Sequence, residues 1–343
     1  MSRQIQLQPS AHTFTADENQ SVLDSALEIG LTLPHGCRTG SCGACKGKIL
    51  HGQVDLDVYA EHALPTAERE SGYTLLCRAH PRSDLLIEVH GVEQSMDNPP
   101  KQIPCRVSRL ERLAEDVMLV ELQLPATEPF IFRAGQYVDI LLADGQRRSF
   151  SIANAPTKTG WLDLHIRLIP NGHFTPRVFE GMKPRDILRI EGPYGSFWLR
   201  EKSDKPIVML AGSTGFAPLK GLVEYAIHIG LTRPIAFYWG ARTPSGIYLS
   251  EMAQSWQSML PGFRYIPVVS ETYPDDGWTG RRGLVHEAVL TDFADLSQYE
   301  VYACGAPLMI DAARSSFTRT RGLPADAFYF DAFTFTVRPD ATG

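Results

Sequence analysis

The sequence predicts a multidomain chain: a small α+β domain built around a cysteine-rich loop, an antiparallel β-barrel, and an α/β domain with a parallel sheet. Three observations carry this reading. Cys37, Cys42, Cys45 and Cys77 set a Cys-x4-Cys-x2-Cys run with a distant fourth thiol. From Ile103 to about Leu199, short alternating runs recur between Gly and Pro punctuation, as in barrels and sandwiches. After Pro206, apolar runs alternate with helical stretches, the pattern of βαβ units around a buried sheet.

The 343 residues suffice for two or three domains, each with its own core. With 43% hydrophobic and 21% charged residues the balance is that of a globular protein. A formal net charge of −6 offers no broad basic field, so a nucleic-acid partner is not expected. The first residues alternate polar and apolar and lack an apolar signal core, and no apolar run reaches the length of a membrane span. Four cysteines in one motif and two far apart fit a reducing compartment. A cytoplasmic monomer is therefore expected.

In chain order, residues 3–8 and 11–15 read as two strands of a hairpin, because side chains alternate across a strand with a period of two. Ser21-Val22-Leu23-Asp24 is a capping signal, and Val22, Leu23, Ala26 and Leu27 follow at helical spacing up to Gly30. The cysteine loop comes next, then a strand over Lys46–Leu50, a short helix over 66–70, Cys77, and a strand over Leu85–Val89. Residues 93–102 are polar, proline-bearing and aperiodic, and read as a linker. The domain bounds are thus 1–92, 103–200 and 201–343. Within the barrel, strands are expected over 105–110, 117–124, 137–142, 149–153, 162–168 and 187–191.

The cysteine spacing is that of a plant-type [2Fe–2S] cluster. A short loop can wrap such a cluster only if small residues let its backbone approach the sulfides, and Gly36, Gly40, Ser41, Gly43 and Ala44 stand in that loop. The alternatives are a structural zinc site, which usually takes thiols in two sequence pairs, and disulfides, which belong in small secreted chains. Further along, Arg148-Ser149-Phe150-Ser151 opens a strand. A planar arginine suits a diphosphate, and an aromatic wall suits a flavin ring. Leu210-Ala211-Gly212-Ser213-Thr214-Gly215 is a strand running into small residues before a helix, where the backbone can come close to a dinucleotide pyrophosphate. Cys304-Gly305-Ala306-Pro307 again links strand to helix, and Asp331-Ala332-Phe333 stands near the end.

The first ninety residues resemble the β-grasp ferredoxin domain. The module order, with Arg-x-aromatic-Ser and Cys-Gly-x-Pro, resembles the ferredoxin–NADP reductase superfamily and, within it, three-domain NADH-dependent electron-transfer reductases. That resemblance implies a [2Fe–2S] cluster on Cys37, Cys42, Cys45 and Cys77, with FAD and NADH as further cofactors. It gives Arg148 the FAD pyrophosphate, Phe150 the flavin face and Ser151 the flavin N5, with Ser149 in the same strand. His165, Arg167, Gly172, His173 and Thr175 form the second flavin element. Gly212, Thr214, Gly215, Cys304 and Gly305 receive the nucleotide, Cys304 placing the ring without forming a covalent intermediate. Asp331 is the acidic residue of the terminus and Phe333 the ring that covers the flavin; here the acid is Asp and the tail continues through residue 343. Ser270-Glu271 stands where NADP-preferring relatives place Ser-Arg, and its carboxylate would repel an adenosine phosphate, favouring NADH.

The implied path runs from NADH to FAD to the cluster to an acceptor protein. Over nearly its full length the chain resembles reductases of the CDP-6-deoxy-3,4-glucoseen type, whose partner is a pyridoxamine-dependent dehydrase. The competing reading is the reductase component of an aromatic-ring or methane-type oxygenase, and a third is a non-enzymatic redox sensor or carrier. Arg38, Thr39 and Ser41 are expected at the docking surface.

Overall fold

A computed structural model describes residues 2–94, 99–157, 159–271 and 277–333. The chain forms two compact units, one of residues 1–101 with 192–197, the other of 102–191 with 198–343.

In the first unit, strands β1 (Ser2–Gln8) and β2 (Thr13–Asp17) form the expected hairpin. Helix α1 (Val22–Glu28) follows, its Ser21 hydroxyl capping the Asp24 N–H at 3.0 Å. After β3 (Leu31–Thr32) and the cysteine loop come β4 (Lys46–His51), β5 (Val54–Leu56), α2 (Thr66–Glu70), β6 (Tyr73–Leu75), β7 (Ala79–Pro81), β8 (Leu85–Glu88) and β9 (Glu93–Gln94). The main sheet has the order β2-β1-β8-β4-β6, with β1 and β8 parallel. Its core gathers Ile5, Leu7, Val22, Leu23, Leu75 and Ile87, all fully buried. Within the expected linker, Glu93–Gln94 pairs with Leu31–Thr32, and 95–98 lie outside the described residues.

The second unit opens with six antiparallel strands, β10 (Lys101–Ala114), β11 (Val117–Gln123), β12 (Tyr137–Leu141), β13 (Arg147–Ser151), β14 (Trp161–Arg167) and β15 (Ile187–Tyr194), plus α3 (Thr175–Glu180). Their order is β13-β12-β15-β10-β11-β14, and a bridge between Ile152 and Leu164 brings the two edges together into a barrel. Alternate residues point inward, which is why Val107, Val120, Leu122, Val138, Ile140, Leu164 and Ile166 are fully buried. Strand β10 runs 14 residues, well beyond the expected 105–110. It absorbs the end of the linker because Ile103, Cys105 and Val107 already alternate inward.

The same unit continues with β16 (Ile207–Gly212), α4 (Phe216–His228), β17 (Ile235–Ala241), α5 (Ser250–Ser255), β18 (Phe263–Val269), β19 (Arg281–Arg282), α6 (Val285–Asp292), β20 (Glu300–Gly305), α7 (Pro307–Thr320) and β21 (Phe328–Ala332). The strands form a parallel sheet of order β19-β18-β17-β16-β20-β21. Strands β16 and β20 lie side by side at the centre, so their C-terminal loops, Gly212–Gly215 and Gly305–Pro307, meet at one edge. That edge is where open parallel sheets bind ligands. Among the described residues no helix is long and apolar enough to cross a membrane.

Candidate functional site

The four thiols arrive as two pairs. The Cys37 N–H lies 3.4 Å from the Cys42 Sγ, and the Cys45 and Cys77 sulfurs are 3.3 Å apart. Backbone N–H groups aim at the loop sulfurs: Thr39 and Ser41 at Cys37 (3.4 and 3.3 Å), Ala44 at Cys42 (3.5 Å). Gly40 and Gly43, at φ +75° and +73°, make the bends that turn those amides inward, a conformation side chains resist. The Cys42 thiol, and after it the Thr39 hydroxyl and the Thr39 and Ser41 amides, hold the Cys37 thiol down to about 5 against the opposing effect of burial. All four are free of disulfides. Among the described residues no three side chains converge for a single metal ion. Two thiol pairs with amides directed at sulfur suit two irons, each taking two thiolates, better than one tetrahedral zinc. The donor set therefore fits the cluster.

The loop is braced from behind by His35. Its Nδ1 donates to the Leu33 carbonyl (2.7 Å) and its Nε2 accepts the Gly195 N–H (2.8 Å), which fixes the tautomer. Burial holds its pKa down to about 4. Arg38 stacks on Tyr194 at 3.9 Å and pairs with Asp24 at 3.2 Å, whereas Thr39 is exposed.

In the second unit, β13 presents Arg148, Ser149, Phe150 and Ser151. Arg148 is half-buried, its guanidinium donating to the Arg147 carbonyl (2.8 Å) and Gln146 Oε1 (2.6 Å). Ser149 donates to the buried Asp139 at 2.6 Å. Phe150 packs on Phe174, ring centroids 5.8 Å apart. Ser151 donates to Asp331 at 3.1 Å, joining residues 180 positions apart. Strand pairing sets Asp331 beside Cys304, and the Phe333 N–H donates to the Gly305 carbonyl at 2.8 Å. Burial, then the Asp331 carboxylate, pushes the Cys304 thiol well up, so it stays protonated. A protonated thiol is a poor nucleophile.

Gly215 and Gly212 let this edge close. A Cβ at Gly215 would stand 2.0 Å from the Cys304 carbonyl oxygen, and one at Gly212 would stand 2.6 Å from the Met309 sulfur. Thr214 is buried beside them. The second flavin element is placed differently along its length. Gly172 and the exposed His173 occupy the turn before α3, with His173 3.6 Å from Asp144. The Thr175 hydroxyl accepts the Ile169 N–H at 2.9 Å, locking that turn. Arg167 pairs with Asp116 at 2.8 Å. His165 is buried, 3.1 Å from the Tyr248 hydroxyl, and its ring lies 6.2 Å from that of Phe216, near-parallel to it. Burial, then the Lys220 ammonium, holds its pKa down to about 3.

The structure thus brings Ser151, Asp331, Cys304, Gly305, Gly212 and Gly215 to one place, with the Phe333 backbone bonded to Gly305 and Thr214 buried in the adjoining loop. His165 and Arg167 stand on the outer face of β14, held by Tyr248 and Asp116. Sequence reading passed over Tyr248 and Asp139, whose neighbours become apparent only in three dimensions.

Three family models match in sequence: the 2Fe-2S iron-sulfur cluster binding domain over residues 5–82, the oxidoreductase FAD-binding domain over 104–198, and the oxidoreductase NAD-binding domain over 209–315. A Yersinia pestis protein, CDP-6-deoxy-L-threo-D-glycero-4-hexulose-3-dehydrase reductase, is 41% identical over 334 residues, covering 97% of this chain and 99% of the relative. The Comamonas sp. terephthalate 1,2-dioxygenase reductase component 1 is 35% identical over 337 residues, covering 97% and 98%. Among solved structures, the Amycolatopsis cytochrome P450 reductase GcoB superposes with a TM-score of 0.81 at 29% identity, covering 97% and 99%. With its cluster, flavin and nucleotide domains in this order, the chain belongs to the three-domain iron–sulfur flavoprotein reductases of the ferredoxin–NADP reductase superfamily, NAD(P)H-dependent oxidoreductases that transfer electrons.

Proposed function

We propose that the chain draws electrons from NADH and delivers them singly to a pyridoxamine-dependent sugar dehydrase, as a monomer in the cytoplasm. One observation carries this reading: the full-length likeness to the Yersinia dehydrase reductase exceeds that to the terephthalate dioxygenase reductase. Bound FAD would supply the conversion of a two-electron input into one-electron outputs. Cys37, Cys42, Cys45 and Cys77 hold the cluster at the exit. Arg148, with Ser149, Gly172, His173 and Thr175, lies toward the FAD phosphates; Phe150 and Phe333 form apolar walls of the ring site. His165 and Arg167 support that site from the outer face of β14. Ser151, oriented by Asp331, offers its hydroxyl at the reacting edge, and Gly212, Thr214, Gly215, Cys304 and Gly305 receive the nicotinamide half of the nucleotide. Glu271, at the end of β18 and 2.8 Å from Arg242, favours NADH because its carboxylate opposes a 2′-phosphate. The domain limits 1–92, 103–200 and 201–343, with a linker over 93–102, follow the same division of labour.

Reconstitution tests the acceptor. NADH consumption that requires both a dehydrase of this class and its CDP-sugar supports the reading. Turnover with an oxygenase component and none with the dehydrase would replace it by the second reading, which the full-length likeness to the Comamonas reductase favours.

A further inference from the structure

Helix α4 starts where the nucleotide loop Gly212–Gly215 ends, and its inner face lies along the backbone that leaves Ser151. The Lys220 ammonium donates to the Ala153 carbonyl at 3.0 Å and pairs with Glu224 at 2.7 Å. Glu224 in turn accepts the Ala155 N–H at 3.2 Å. Between them Gly221 comes so near that a Cβ would stand 3.1 Å from the Asn154 oxygen and 3.3 Å from that of Ile152. The other edge of this segment is equally fixed: Ala153 donates to Asp163 at 2.7 Å, and the Asn154 side chain accepts the Asp163 N–H at 2.8 Å.

Helix stability does not explain the pair. Lys ahead of Glu at i,i+4 is the weaker orientation with respect to the helix dipole. Lys220 is also only 6% exposed, so its ammonium bears a desolvation cost that a surface pair would avoid. What the pair does make is a clip: two charge-assisted bonds to the strand extension just beyond Ser151, from the helix that carries the nucleotide loop.

We propose that Lys220 and Glu224 are positioning residues that set the distance between the flavin edge at Ser151 and the nicotinamide loop at Gly212–Gly215. The inference rests on the flavin and nucleotide roles given above. Neither residue exchanges a proton or an electron; with FAD and NADH bound, they would fix the gap across which the nucleotide's hydride passes to the flavin, leaving NAD+. Geometry of this kind governs rate steeply, a displacement of about 1 Å costing on the order of a hundredfold.

The test uses the holoprotein with Lys220→Met, Glu224→Ala, Glu224→Gln and, as a reference for the site itself, Ser151→Ala. Hydrogen exchange reads the clip directly: the Ala155 amide, protected in the parent and in Glu224→Gln, opens in Glu224→Ala. Stopped-flow flavin reduction with NADH and 4-deuterated NADH then shows a limiting rate lowered about ten- to hundredfold in Lys220→Met and Glu224→Ala. NADH affinity and flavin content stay unchanged, and Glu224→Gln restores most of the rate. Should Lys220→Met fail to fold, the Glu224 pair carries the same comparison. Parent-like rates in Glu224→Ala with the Ala155 amide open, a protected Ala155 amide in that variant, or Glu224→Gln as slow as Glu224→Ala would each overturn the proposal. A Ser151→Ala protein with the parental rate would instead overturn the underlying placement of the flavin.

Discussion

Replacing Gly215 by alanine tests whether the nucleotide loop and β20 must touch. Gly215 sits at φ −58°, ψ −13°, a conformation alanine adopts freely, so backbone strain plays no part. On unfolded-chain entropy alone the change would favour the fold by roughly 0.4–1 kcal/mol. Opposing this, the new Cβ would meet the Cys304 carbonyl oxygen at 2.0 Å, its carbon at 2.5 Å and the Gly305 nitrogen at 2.9 Å. An ordinary C···O contact is about 3.3 Å. The loop and the strand must therefore separate by roughly 1.3 Å, and both partners are backbone, so no side chain can swing aside. Overpacking of this kind costs about 1–3 kcal/mol. A displacement of this size at the reacting edge predicts a fall of about a hundredfold in NADH–ferricyanide kcat. Cluster and flavin absorbance should remain. Gly181→Ala is the control, because its Cβ would meet nothing nearer than 3.6 Å. A Gly215→Ala protein with parental kcat and thermal midpoint would refute the reasoning.

Three further outcomes are expected. Cys42→Ser loses cytochrome c reduction while keeping NADH–ferricyanide activity, which the flavin supports alone; loss of both would place the cluster ahead of the flavin. Glu271→Ser removes the carboxylate partner of Arg242 and leaves that guanidinium for a 2′-phosphate, so the NADPH to NADH ratio of kcat/KM should rise at least about tenfold; an unchanged ratio would refute the role of Glu271. His165 stays neutral in the fold, at about 3 against an ordinary 6.5, so the unfolded chain binds the extra proton. Stability is therefore lost as pH falls below 6.5 toward 3, by up to about 1.4 kcal/mol per pH unit for that one proton. Unfolding midpoints of the parent and of His165→Phe between pH 5 and about 7 check this: the variant should show a slope shallower by about one proton, and equal slopes would contradict it.

What the sequence made legible follows from local rules. The Ser21 cap, the alternation of β1 and the apolar runs of β16 and β20 each depend on neighbours a few residues away, and all formed where expected. The pairing of β5 with β7 could not be read, since three-residue strands such as Val54–Leu56 and Ala79–Pro81 carry no measurable period and one ends in proline. The cysteine loop was legible because ligand spacing is itself local. The Ser151–Asp331 contact was not legible, being made across 180 residues. Lys220 and Glu224 carry no signal in the sequence beyond an i,i+4 spacing; the strand extension they bond, at Ala153 and Ala155, is some 67 to 69 residues away. Residues 334–343 of the tail lie outside the described residues.

The central claim is a relay from nucleotide through flavin to cluster, and an anaerobic NADH titration followed by absorbance tests it most directly. The account predicts a flavin band overlaid on red-shifted iron–sulfur absorption, both bleached by NADH in the purified protein. A flavin that bleaches while the iron–sulfur absorption persists, or an isolated protein that holds either chromophore without the other, would contradict it.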